Sequence, residues 1–140
     1  MVYNTTAGCL EINIDTGRIE KNLERAQDAL DQKVLGDCTQ YVPFRQGALR
    51  GSGHITKPGE IEWNTPYAHY QYMGELYGPN IPIGDAEGNI TGFWSPPVKH
   101  PEGRPLHYYE PGTGDHWFER AKKTHLNEWI HEVKKEVGKK

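Results

Sequence analysis

Cysteine is scarce in this chain. Cys9 and Cys38 are the only two among 140 residues, too few for the disulfide framework that holds small secreted domains together. They are expected as reduced, partly buried thiols in a protein made in the cytoplasm. Long apolar runs are absent too, so no segment can cross a bilayer as a helix. Met1-Val2-Tyr3-Asn4 lacks the basic-then-apolar order of a secretory signal, and no membrane partner is expected. There is no excess of one charge either: 19 acidic against 16 basic residues leave a net charge of -3. That balance carries no footprint for a general grip on nucleic acid.

The signatures of catalysis are also missing. The chain has no Gly-x-Ser-x-Gly elbow, phosphate-cradling loop, dinucleotide fingerprint or Cys-x-x-Cys. His100, His107, His116, His125 and His131 crowd the C-terminal half. His125 and His131, six apart, fall on different faces of a helix rather than at the i, i+4 spacing of a zinc pair. Asp85, Glu87 and Asn89 alternate like the start of a calcium loop, but its sixth position is Ile90 and its twelfth Pro96, where Gly and Glu are needed. A polar turn accounts for them better. Cys38 with a distant histidine is not a distinctive thiol dyad in a chain with seven histidines. No catalytic residue, cofactor or metal is assigned.

What the chain does have is an aromatic stretch, Ile61 to Gly74. Ile61 and Trp63 alternate with Glu60, Glu62 and Asn64, the pattern of a strand with one wet face. Thr65-Pro66 stops it and suits the first turn of a helix. Tyr67, Tyr70 and Met73 then recur at helical spacing until Gly74. Trp63, Tyr67, Tyr70 and Tyr72 carry too much apolar area for a linker: either they fill a small core or they make a contact surface.

Around this stretch, Leu10, Ile12 and Ile14 predict a half-buried strand. Ile19, Leu23, Ala26, Leu30 and Val34 predict an amphipathic helix from about 17 to 35, ended by Gly36-Asp37. Pro43 and Gly47 oppose regular structure between 41 and 52. Pro58-Gly59 predicts a hairpin of 54–57 against 60–64. The segment from Gly74 to Gly114 is rich in Gly and Pro. Ile81, Ile83, Ile90, Phe93 and Trp94 flank a polar turn there, as in an extended hairpin or arm, and a second extended piece is expected near 105–109. A last helix over 115–137, with Asp115 as N-cap, carries Phe118, Ala121, Leu126, Trp129, Ile130, Val133 and Val137 on one side. By length the chain is one domain, residues 1–140, with an arm over 75–113 and a flexible tail at 138–140.

Three segments in order resemble those of minor capsid, or head–tail joining and tail-completion, proteins of tailed bacteriophages. They are Val42-Pro43-Phe44-Arg45-Gln46-Gly47-Ala48-Leu49-Arg50-Gly51-Ser52, the Ile61–Gly74 stretch, and Gly112-Thr113-Gly114-Asp115-His116-Trp117-Phe118-Glu119-Arg120-Ala121-Lys122. Leu76 to Tyr109 has no counterpart in these segments. The resemblance implies an α+β fold: a twisted, mainly antiparallel sheet packed by a long N-terminal helix and a C-terminal helix, with a long extended arm between. It also implies a non-enzymatic virion protein at the head–tail junction, made in the host cytoplasm. Its partners would be further copies in a homo-oligomeric ring, portal-side and tail-side neck proteins, and DNA passing through without specific binding. Candidate interface residues are Arg45, Arg50, Tyr67, Tyr70, Phe93 and Trp94. A tail-terminator ring is the nearest alternative. A small metal-dependent hydrolase built on His107 or His116 is the alternative of another class.

Overall fold

Two long helices carry the fold in the computed structural model, which describes residues 1–140. The elements in order are β1 (Val2–Ala7), β2 (Leu10–Asp15), α1 (Gly17–Thr39), α2 (Ala48–Gly51), β3 (Gly53–Lys57) and β4 (Glu60–Trp63). They continue with α3 (Ala68–Met73), β5 (Glu75–Gly78), β6 (Ile81–Gly84), β7 (Ile90–Trp94), β8 (His100–Pro105) and α4 (Trp117–Val137). The fold is α+β, as the sequence implies. All strand pairs are antiparallel, and they form four two-stranded ribbons, β1–β2, β3–β4, β5–β8 and β6–β7, rather than one continuous sheet.

α1 packs along α4 more extensively than on any other element. The buried Asn22 fixes their relative direction, donating to Val137 O (3.1 Å) and Lys139 O (2.6 Å), so the start of α1 lies at the end of α4. α1 does not end at Gly36-Asp37 as expected but continues to Thr39. A helical glycine costs about 1 kcal/mol, and burial of Val34 and Cys38 on either side of it outweighs that. Asp37, read as a breaker, instead accepts from Trp129 Nε1 (2.7 Å) and Lys33 Nζ (3.3 Å), tying α1 to α4 again.

The β3–β4 hairpin forms where Pro58-Gly59 places it, with Gly59 at φ 80°. A buried acid holds it on α1: the Asp31 carboxylate accepts from Gly59 N (2.9 Å) and Gln27 Nε2 (2.7 Å). Satisfied in this way, a buried carboxylate can be retained. The core is small, comprising Val34, Cys38, Val42, Leu49, Ala68, Trp117, Ala121 and Trp129. Trp117 is its pivot, 2 % exposed. Its ring meets Trp63 edge-on at 5.6 Å and Tyr72 at 4.7 Å with the planes 90° apart. These are the preferred edge-to-face geometries for aromatic quadrupoles.

α3 ends at Gly74 in the left-handed region, φ 74°. A Cβ there would also sit 2.7 Å from Asp115 Cβ, so glycine is required twice over. Asp115 does not cap α4 as expected. Turned towards Gly74, its carboxylate accepts from Arg120 Nη2 at 2.6 Å and lies 3.1 Å from His116 Nδ1. His116 takes the N-cap position at φ 47°, and its N–H bonds to Tyr72 O at 2.9 Å.

The strands furthest from the core are the least covered. Leu10–Asp15 is a strand, but only Ile12 is even half-buried, because β2 pairs with β1 alone and projects from the start of α1. The register puts Tyr3, Thr5 and Ala7 opposite Ile14, Ile12 and Leu10, so one face of this hairpin is largely apolar. The Gly-rich segment after Gly74 is more ordered than its composition implied. β5 pairs with β8, and β6–β7 continues outward to a turn at 85–89 in which Asp85 Oδ1 accepts from Glu87 N (3.1 Å) and Asn89 N (2.8 Å). The second extended piece falls at His100–Pro105, earlier than expected. Every residue from 79 to 91 is exposed.

The whole chain exposes 10189 Å². A closed monomer of this mass exposes roughly 7,400 Å², so about 2,800 Å² is surplus.

Trp117→Ala removes the pivot and is expected to lower unfolding stability by about 3–5 kcal/mol, read as a shift in the urea midpoint. Arg120 holds the Asp115 carboxyl below its ordinary range, with His116 adding to the effect. The stability this contributes is full above the ordinary carboxylate range and is lost as pH falls through the lowered value. Asp115→Asn should therefore flatten the acid limb of a thermal-midpoint-against-pH profile without altering the limb above neutrality.

Candidate assembly surfaces

The clearest concavity is an apolar groove between α1, α4 and β4. It has a volume of about 790 Å³ and is lined chiefly by Leu30, Val34, Ile61, Trp63, Leu126 and Ile130. α4 supplies one wall because its apolar stripe is wider than α1 can cover: Phe118, Leu126 and Ile130 are 38 %, 40 % and 43 % exposed. Lys122 and Lys134 stand on the rim. The sequence marked the stripe but not that half of it stays open, since nothing in the 3.6-residue period tells how wide a partner surface is.

The six residues singled out from the sequence fall in three places. Arg45 and Tyr67 line one cleft together with Phe44, Leu106 and Tyr109, of about 530 Å³. Both are exposed. Tyr70 is half-buried, its ring 4.6 Å from that of Tyr77 at the root of the arm. Phe93 and Trp94 stand on the arm, 64 % and 53 % exposed. Arg50 is spent inside the chain. Its guanidinium donates to Val42 O (Nη2, 2.8 Å; Nε, 3.3 Å) and to Glu110 Oε2 (2.9 Å), and lies 4.8 Å from the centre of the Phe44 ring. It therefore shapes the 42–50 loop, leaving Arg45 as the free cation there.

Groups that could carry chemistry are engaged structurally. Burial pushes the Cys38 thiol up to about 12, with Asp37 and Glu119 adding to it, which leaves no thiolate for nucleophilic work. Cys9 is exposed and free. Burial also raises the Tyr108 hydroxyl to about 12, and it donates to Gln71 O at 2.6 Å. His107 is exposed with its ring against Tyr109 at 4.7 Å, and His116 belongs to the Asp115 contact. Neither joins a three-ligand cluster. The set whose ligand atoms do converge, Asp37, His125 and Glu128, lies within 4.8 Å. A cation is already there: Lys33 Nζ is 3.3 Å from Asp37 and 3.6 Å from Glu128, and Gln40 Nε2 lies 3.0 Å from His125 Nε2.

A family model described as minor capsid protein matches residues 11–91, more than half of the chain. The chain belongs to the minor capsid protein family. It is thus a bacteriophage structural protein of the virion. The match runs from β2 through the core hairpin and along the arm to its tip, so it takes in much of the segment beyond Leu76 that the resembling motifs left out. It stops before Gly112–Lys122. No curated protein and no solved structure matches the chain.

Arg50→Ala in this minor capsid protein should cost about 1–3 kcal/mol, because Val42 O and Glu110 lose a charged donor. Arg50→Lys should recover little of it, since an ammonium cannot reproduce the forked contact. Arg45→Ala should leave the denaturation midpoint unchanged. Urea titration of the three variants checks the contrast.

Proposed function

We propose that this protein is a ring-forming subunit of the virion neck, joining head to tail as a connector or tail-completion protein. The observation that carries the reading is the surplus of about 2,800 Å² of surface in a member of a capsid-associated family. A standard interface takes about 800 Å² from each partner. A subunit in a closed ring presents two different patches to two neighbours, which uses roughly 1,600 Å² and leaves area for the layers above and below. The apolar groove and the apolar arm supply the dissimilar patches that such a ring needs.

No catalytic step is required of it. The channel of a ring built from subunits of net charge -3 would not grip passing phosphates, so DNA slides through without specific contact. Its neighbours are a portal-side neck protein and a tail-side one, met after synthesis in the host cytoplasm. A tail-terminator ring uses the same surfaces and differs only in its position along the particle.

Mass measurement of the purified protein, alone and with neck partners, tests the reading. A closed multimer, or incorporation into particles with density at the head–tail junction in electron micrographs, is expected. A strict monomer that never enters particles overturns it.

A further inference from the structure

We infer that the β6–β7 arm of one subunit lies in the α1/α4 groove of the next copy of the same chain. The inference rests on the ring reading and specifies its contact. Four observations meet in it: an unpartnered apolar arm, an unpartnered apolar groove, acidic residues at the tip of the arm against lysines beside the groove, and a groove wall long enough to hold the arm.

The arm is apolar where a solvated hairpin has no reason to be. The register sets Ile81 opposite Trp94 and Ile83 opposite Gly92, and directly paired residues share a face. Ile81, Ile83 and Trp94 therefore form one stripe, 41 %, 50 % and 53 % exposed. Hydrophobic side chains aligned on a two-stranded ribbon gain nothing until a second surface covers them. The groove is the largest apolar concavity that could do so. Its wall from Phe118 to Val133 runs about 22 Å at 1.5 Å per residue. From Ile81 to the turn at Asp85 the arm extends about 13 Å at 3.3 Å per residue, so the groove wall can take its whole length. Charge favours the pairing. The arm ends in Asp85 and Glu87, and the groove is rimmed by Lys122 and Lys134. The β1–β2 hairpin also has an apolar face, but its turn, Gly8-Cys9, carries no charge to meet those lysines. Because groove and arm are different patches, the contact is head-to-tail, the type that closes a ring.

The test mixes two singly substituted chains, both carrying Cys9→Ser: one with Ile83→Cys on the arm, the other with Leu126→Cys in the groove. They are assembled together and treated with a short bis-maleimide. Cross-linked dimers in the mixture should exceed those in either population alone about tenfold, since apposed thiols react at a far higher effective concentration than free chains. Trp94→Ser should abolish assembly while leaving the circular dichroism spectrum and thermal midpoint of the subunit unchanged. Normal rings without the mixed cross-link overturn the inference and leave the ring reading standing. So does a groove thiol that cross-links to Leu10→Cys or to another virion protein. Failure of every variant and of the unsubstituted chain to assemble, alone or with neck partners, and to enter particles removes both.

Discussion

The packing of Trp117 against Trp63 and Tyr72 is the constraint on which this structure depends. Trp117 opens α4, Trp63 closes the core hairpin, and Tyr72 belongs to α3, one turn before the arm begins at Glu75. Two consecutive elements and a distant third thus share one aromatic contact. Edge-to-face rings resist rotation as well as separation, so the contact sets an angle as well as a distance. The end of α3, from which the chain runs on into the arm, is thereby held against the start of α4.

Stability is distributed unevenly as a result. Buried residues concentrate between Asn22 and Ala68 and again in α4, while β1, β2 and the ribbon beyond Pro79 contribute almost none. Segments with few buried contacts open at low free energy. The body can therefore fold as a unit, and in the proposed ring the projecting ribbons acquire their remaining contacts from neighbours.

Much of this was legible in the residues. The strand–turn–helix of Ile61–Gly74, the Pro58-Gly59 hairpin and both long helices follow from periodicity and turn chemistry, and each forms where those signals lie. The differences trace to tertiary contacts that local pattern does not encode. Gly36-Asp37 reads as a helix stop, yet Asp37 is needed by the Trp129 indole on another helix. Asp115 reads as an N-cap, yet Gly74 leaves it space and Arg120 claims it. Asn22 and Asp31 look like solvated positions on an amphipathic helix, but both are buried because their partners, Lys139 O and Gly59 N, lie far along the chain. Among the candidate interface residues, Phe93 and Trp94 stand out from the sequence beside the polar turn of the arm. The groove does not, because it exists only where three elements fail to close on one another.

The prolines of the outer ribbons settle what sort of neighbour contact is open to them. Pro82 lies in β6, and Pro101 and Pro105 in β8, where each removes a donor from the ladder. A bare two-stranded ribbon otherwise invites strand after strand to add at its edge, the route to amyloid-like fibres. Pro82 blunts the β6 edge of the arm, and Pro101 and Pro105 the β8 edge of the ribbon at its root, which limits open-ended growth there. Side-chain faces remain available for recognition, and in the contact inferred above they meet a shaped cavity instead of recruiting an endless sheet.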